Sequence, residues 1–133
     1  MTSDNQDIPA KLRENADQVV RVVREKLEVE LSFDQAGVIW IDDYIHRLRE
    51  QNATEDRSGL VSTLGAFVGE SIIQTFGGTW MEIDGMWGVQ VNDRVWACPF
   101  AKVAKQFENG PEDSVADFFR TVPELEQYAI EQQ

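Results

Sequence analysis

The sequence predicts an α+β domain with three N-terminal helices, a three-stranded antiparallel meander and two or three short C-terminal helices. Three observations lead to this fold class. Apolar residues recur every three or four positions up to residue 76, which is the helical period. Short apolar runs separated by turn dipeptides follow between residues 79 and 98. The helical period returns after Pro99, a residue that suits the first turn of a helix.

Two apolar stripes predict the first two helices. Pro9 suits the start of the first, whose stripe comprises Leu12, Ala16, Val19, Val23 and Leu27. The second stripe comprises Val38, Ile41, Ile45 and Leu48 and is widened by Trp40 and Tyr44. Ser32 and Gln35 have the spacing of a capping box before it. We expect the second helix to be the more buried, while the first covers either its own core or a second copy in a homodimer.

The third helix carries two glycines four residues apart. It follows a polar break at residues 51–57, and its stripe comprises Leu60, Leu64, Phe67, Val68, Ile72 and Phe76. Glycine inside a helix costs about 1 kcal/mol relative to alanine, so Gly65 and Gly69 indicate that another backbone packs closely there. Gly77-Gly78 ends the helix.

The segments TWMEID, MWGVQVN and RVWAC predict the three strands of the meander. The candidate tight turns are Asp84-Gly85 and Asn92-Asp93. Two-residue turns would place Trp80 opposite Val89, and Val89 opposite Trp96. Trp87 and Cys98 would lie on the same side. We therefore expect a tryptophan-rich face packed on the helices.

Small helices complete the chain. The fourth begins at Pro99, is expected to turn Phe100, Val103, Ala104 and Phe107 inward, and ends at Asn109-Gly110-Pro111. Ser114 and Asp117 have cap-like spacing before a fifth. A second capping box, Thr121 with Glu124, predicts a terminal turn carrying Leu125 and Tyr128.

Composition predicts one folded domain over residues 1–133, with residues 1–7 as a disordered tail. Hydrophobic residues make up 42% of the chain, but no apolar run is long enough to span a bilayer. The first residues are polar and acidic, unlike a secretory signal, and Cys98 is the only cysteine. These features together predict a cytoplasmic protein.

The chain is strongly acidic, with 24 acidic and 12 basic residues and a formal charge of -12. This charge opposes binding to nucleic acid or an anionic membrane and favours a basic protein partner. Residues 106–133 contain seven acids and only Arg120 as a base. They form either solvated helix faces or an acidic docking face.

Glu70 is the first candidate for a functional side chain. Helical spacing places it between Ala66 and Ile73 and beside Gly69, next to apolar surface. A carboxylate in such a place needs a partner or a raised pKa. It is a structural group in an ion pair or hydrogen bond with Arg94, Lys102 or Lys105, an exposed group at the edge of the stripe, or a functional acid or base.

Four other residues complete the candidate ligand or partner site. Trp80 and Trp96 shape a pocket or belong to the core, and Lys102 with Lys105 holds an anion or is ordinary surface charge. No catalytic group can be assigned to a reaction. We also expect no metal and no cofactor, because His46 is the only histidine and has no Cys or second His to complete a zinc site with Asp42 and Asp43. Gly77-Gly78 leads from helix to strand, the reverse of a phosphate-binding loop.

Residues 60–120 contain a set of short motifs: Leu64-Gly65-Ala66, Gly69-Glu70, Gly77-Gly78 with Trp80, Pro99-Phe100, Lys102-Val103, Lys105, Glu108-Asn109-Gly110 and Asp113-Ser114. Together these motifs resemble those of a family of small bacterial domains of unknown function. The resemblance implies a glycine-bearing helix, a Gly-Gly-x-Trp entry into short strands, a following Pro-containing helix and a bacterial cytoplasmic setting. It implies no activity, substrate or catalytic residue.

Two functional hypotheses follow. The first is a noncatalytic binding or accessory protein, for example of the immunity type, that covers a basic partner. The second is a small hydrolase or ligand-binding domain centred on Glu70, in which Trp80 or Trp96 shapes a pocket and Lys102 or Lys105 holds an anionic group.

Overall fold

The structure is a computed structural model that describes residues 8–51 and 57–132, with side chains up to residue 124. The predicted tail, residues 1–7, lies outside the described residues. The elements are α1 (Ile8–Leu27), α2 (Gln35–Glu50), α3 (Ser58–Phe76), β1 (Thr79–Ile83), β2 (Met86–Gln90), β3 (Trp96–Ala97), α4 (Pro99–Asn109), a 3-10 turn (Gly110–Asp113) and α5 (Val115–Gln132). This order confirms the predicted α+β fold.

Helix α3 is the centre of the domain. It contacts all four other helices and strand β2. Its residues 64–72 are buried without interruption, which includes the polar side chains of Glu70 and Ser71. The Ser71 hydroxyl donates to the Phe67 carbonyl oxygen at 2.9 Å, so it is satisfied within the helix. A helix surrounded by other elements buries more than the single stripe that its sequence pattern indicated.

Helices α1 and α2 both contact α3. Ala16, Val19 and Val23 of α1 are buried as predicted, but Leu27 at the end of the same stripe is 52% exposed. The N-cap of α2 is Asp34 and not Ser32, because the Asp34 Oδ1 accepts a hydrogen bond from the Gly37 amide at 3.0 Å. The predicted capping box was therefore wrong by two residues.

The sheet has the predicted meander order, with β2 in the middle. Asp84 and Gly85 both have positive φ angles, 52° and 82°, as a tight hairpin turn requires. Trp80 lies opposite Val89, as predicted. The second connection, however, is longer than a two-residue turn, so Val89 lies opposite Ala97.

This one-residue difference in register places Trp96 opposite Gln90. Because side chains alternate along a strand, Trp96 lies on the opposite face from Trp80. The predicted single tryptophan-rich face was therefore wrong. Asn92 explains the longer connection, since its Oδ1 accepts from the amides of Arg94 at 2.8 Å and Val95 at 3.1 Å.

The C-terminal helices differ from the prediction in two details. Ala104 of α4 is exposed, whereas Gln106, which the apolar pattern passes over, is 1% exposed. Helix α5 runs through Pro123 as one element, so the predicted separate terminal turn does not occur. Ser114 caps α5 as expected, with its hydroxyl accepting from the Asp117 amide at 3.1 Å. The side chains of Leu125 and Tyr128 lie outside the described part.

Within the residues that the structure describes, no helix combines the length and the apolar character needed to cross a membrane.

Candidate functional site

Glu70 is buried and has two partners. It is 4% exposed, and its Oε2 accepts a hydrogen bond from the Trp80 indole Nε1 at 2.9 Å. Its Oε1 lies 3.7 Å from the Arg13 Nη1 on α1. The predicted basic partners, Arg94, Lys102 and Lys105, were therefore the wrong ones. The carboxylate instead connects α3 to both the first strand and the first helix.

Gly65 and Gly69 make room for two aromatic rings. A Cβ atom on Gly69 would lie 2.5 Å from the Trp80 Cζ2, and one on Gly65 would lie 2.9 Å from the Phe100 Cε1. The two rings stack with centroids 5.7 Å apart. The predicted close approach is thus present, but it is made by side chains and not by a second backbone.

We expect Glu70→Ala to lower the free energy of unfolding by about 2 kcal/mol, because it removes a buried acceptor and leaves the Trp80 donor without its partner. Glu70→Gln should cost under about 1 kcal/mol, since an amide oxygen still accepts from Trp80 and the 3.7 Å ion pair to the exposed Arg13 side chain contributes little. Urea unfolding followed by circular dichroism measures both. Equal losses in the two variants would contradict the role assigned to the indole hydrogen bond.

Trp96 belongs to a different surface, which we call the outer sheet face. It comprises Met81 and Ile83 of β1, Met86 of β2 and Trp96 of β3, which the register places on one side of the sheet. Met81, Ile83 and Met86 are 41%, 40% and 48% exposed. The Trp96 Nε1 donates to the Met81 carbonyl oxygen at 3.1 Å, which fixes the indole across the strands. The opposite side of the sheet carries Trp80 and Val89 and faces the helices.

Lys102 and Lys105 lie near a carboxylate of their own chain. The Lys102 Nζ is 3.0 Å from the Asp113 Oδ1, and the Asn109 Nδ2 donates to the Asp113 Oδ2 at 2.7 Å. Hydrogen bonds from Asn109 and Lys102, and the charges of Lys102 and Lys105, hold the pKa of Asp113 below its ordinary value of 3.8, although desolvation opposes them. Lys102 is thus paired with a carboxylate of its own chain, whereas the Lys105 side chain is exposed.

The lowered pKa of Asp113 predicts a loss of stability in acid. Because the folded state binds this proton less readily than the unfolded state, the stabilisation is present above pH 3.8 and is lost as the pH falls through the folded-state pKa. The stability difference between wild type and Asp113→Asn should therefore shrink as the pH is lowered below 3.8. Urea unfolding at a series of pH values measures it, with the exposed neighbour change Glu112→Gln as control. A difference that is constant with pH would contradict the role of Asp113.

Asp42, which the sequence suggested only as part of an incomplete zinc site with His46, is the centre of a hydrogen-bond network. Its Oδ2 accepts from the Ser114 hydroxyl and from the Ala116 amide at 3.0 Å, and its Oδ1 accepts from the Gln106 Nε2 at 3.2 Å. The Gln106 Oε1 in turn accepts from the Val115 amide at 2.9 Å. A carboxylate from α2 thus caps the N-terminus of α5, where the helix dipole favours negative charge. Asp42 lies over 60 positions from each of its partners, so no local sequence pattern indicates the network.

His46 and Cys98 are not part of a larger cluster of acidic, histidine or cysteine side chains in the described part of the chain. The His46 Nε2 lies 3.2 Å from the Glu50 Oε1 on the same helix. Cys98 is half-buried, and its Sγ donates to the Trp87 carbonyl oxygen at 3.5 Å. Among the described residues, no three His, Cys, Asp or Glu side chains lie close enough together to hold a metal ion.

A cleft of about 330 Å³ opens between α1, α2 and α3. Its walls are mainly apolar and include Val22, Leu27 and Leu60 together with Trp40 and Tyr44, whose rings stack with centroids 5.4 Å apart. Lys26 is also among the residues that line it. The sequence pattern placed Trp40 and Tyr44 in a widened apolar stripe of α2 and did not indicate a cleft beside them. Both side chains are only half-buried.

The structure therefore separates the five predicted site residues. Glu70 and Trp80 contact each other against α3, Trp96 lies on the other face of the sheet, and Lys102 and Lys105 surround Asp113. No protein-family model, curated protein or solved structure matches this chain.

Proposed function

We propose that this chain is a noncatalytic binding or accessory protein, of the bacterial cytoplasm, that covers a basic partner protein with its outer sheet face. The observation that carries the proposal is the exposure of Met81, Ile83 and Met86 on one side of a sheet whose other side is packed on the helices. Apolar side chains grouped on an exposed surface are typical of interaction sites. An immunity-type protein is one example of this class.

The composition of the outer sheet face suits protein recognition. Met81 and Met86 are the only methionines after residue 1, and both lie on this face with Trp96. Methionine adapts its shape to a partner, and methionine and tryptophan are enriched where proteins bind each other. β1 is also an edge strand, since β2 is its only partner in the described sheet. An exposed edge favours pairing with an extended segment.

The charge of the chain selects the partner. Residues 79–97 contain the exposed acids Glu82, Asp84 and Asp93 and the single base Arg94, so the sheet shares the acidic balance of the whole protein. A formal charge of -12 repels a second copy and attracts a basic protein from a distance. Apolar contact at the sheet then supplies affinity, while charge supplies the association rate.

The alternative, a hydrolase or ligand-binding domain centred on Glu70, has less support. A general acid or base must reach the proton that it transfers. Both oxygens of Glu70 face partners within the fold, and the side chain is 6% exposed. These contacts favour a structural role for Glu70.

The test has two steps: capture of a partner protein from lysate, and measurement of the rate at which that partner associates with the chain. Immobilised protein is incubated with lysate of its own organism, and the retained proteins are compared between wild type and the double variant Met81→Gln/Met86→Gln. We expect a basic protein that wild type retains and the double variant loses. Its association rate with wild type, measured by surface plasmon resonance, should fall as salt is raised, because ions screen the attraction.

Ile39→Gln is the matched control, since Ile39 is 43% exposed and lies on α2, a helix without extensive contacts to any strand. It should capture the same protein as wild type. Equal capture by the double variant, an acidic partner or an association rate independent of salt would each overturn the proposal.

A further inference from the structure

The cleft between α1, α2 and α3 is a second feature of the molecule, separate from the outer sheet face. Its volume of about 330 Å³ lies at the small end of the range found for ligand pockets, about 300–1,000 Å³. Apolar walls with a few polar groups are the usual composition of such pockets. Here the polar groups belong to Gln18, Thr63 and Lys26 and to the Trp40 and Tyr44 side chains.

The charge at the cleft is opposite to that of the protein. Acidic residues outnumber basic ones two to one in the chain, yet Lys26 is the charged side chain among the residues that line the cleft. In the described part of the chain, no carboxylate forms an ion pair with Lys26, whereas the nearby Arg24 is paired with Glu30 at 2.9 Å. A lysine ammonium is a compact charge that attracts a single anionic group.

We infer that the cleft binds a small amphipathic monoanion, a medium-chain carboxylate, with its apolar chain between Trp40, Tyr44 and Leu60 and its carboxylate at the Lys26 Nζ. The apolar chain removes the exposed parts of these side chains from water. The charge restricts the class of ligand, because a cationic amphiphile gains the same apolar contacts but is repelled by Lys26. This inference does not depend on the proposed basic partner.

Isothermal titration calorimetry on the full chain tests the inference with octanoate, hexanoate and octylammonium, each below its micelle concentration. We expect octanoate to bind about tenfold more tightly than hexanoate, since two more methylene groups are buried. Octylammonium should bind more weakly than octanoate. Equal or tighter binding of octylammonium, or no binding of octanoate, would overturn the inference.

Two variants locate the site. Lys26→Gln should weaken octanoate binding about fivefold, while Lys11→Gln, an exposed lysine on the same helix that does not line the cleft, should leave it unchanged. Val22→Trp should fill the cleft and abolish binding with the circular dichroism spectrum retained. Equal effects of the two lysine variants, or undiminished binding by Val22→Trp, would contradict the assigned site.

A second copy of the chain is the competing occupant. Sedimentation equilibrium of wild type and Val22→Glu decides between them. A monomer in both supports the cleft as a ligand site, and a wild-type dimer that dissociates in Val22→Glu would overturn it.

Discussion

Gly37→Ala is expected to lower the free energy of unfolding by about 3 kcal/mol, the upper end of the usual cost of overpacking. Gly37 is buried in the first turn of α2. An added Cβ atom would collide with the Ser32 carbonyl oxygen and would lie 2.8 Å from the Phe67 Cζ. The Ser32 oxygen cannot rotate away, because it is backbone and accepts from the Asp34 amide at 2.9 Å. The turn before α2 must therefore move.

Gly59→Ala is the matched control for this prediction. Gly59 lies in the first turn of α3, and no atom outside the adjoining residues and the local helix backbone lies within 4 Å of the position that a Cβ would occupy. Its replacement should leave stability unchanged or raise it by up to about 1 kcal/mol, the difference in helix propensity. Urea unfolding measures both variants. A similar, small change in the free energy of unfolding at the two glycines would show that the turn before α2 accommodates a Cβ atom at Gly37 without a large loss of stability.

Asp42→Ala is expected to lower the free energy of unfolding by about 3 kcal/mol, since hydrogen bonds to a charged acceptor are among the stronger ones. The change leaves the Ser114 hydroxyl and the Ala116 amide without their acceptor. The Gln106 Nε2 still donates a hydrogen bond to the Asp42 backbone oxygen, which lies 3.2 Å away, so that part of the network remains. The lost stability should come from weaker packing of α5 against α2, because the broken hydrogen bonds join these two helices.

Asp43→Ala tests whether that loss is specific. Asp43 is the exposed neighbour of Asp42 on the same helix, and its replacement should change stability by less than about 0.5 kcal/mol. Amide hydrogen exchange should additionally show faster exchange at the start of α5 in Asp42→Ala but not in Asp43→Ala. Equal stability of the two variants would contradict the capping role of Asp42.

The sequence predicted the order and type of the elements well, because these depend on local patterns. The three-to-four residue period gives the helices, and Asp84-Gly85 gives the first hairpin turn. The loop after β2 was harder to predict. The Asn92 side chain accepts hydrogen bonds from the amides of two following residues, Arg94 and Val95, and this lengthens the connection between β2 and β3. The longer connection changes the face of the sheet on which Trp96 lies.

The candidate site was less predictable, because its contacts join distant parts of the chain. Burial of Glu70 followed from its helical neighbours, but its partner Arg13 lies 57 positions away on α1. Gln106 does not belong to any apolar stripe and is nevertheless fully enclosed. Which cation or amide meets a buried carboxylate depends on helix packing, and a single sequence carries no local signal for that.

A helix with no solvent face along its middle residues is prone to aggregate in a chain that is synthesised from one end to the other. Residues 64–72 of α3 are apolar or enclosed on every side once folded, so newly made α3 exposes aggregation-prone surface until other elements cover it. Helices α1 and α2, which contact α3, are made before it, whereas α4 and α5 are made after it. During synthesis, α1 and α2 are therefore the first elements that can cover the apolar surface of α3. Helices α4 and α5 cover more of it once they have been made.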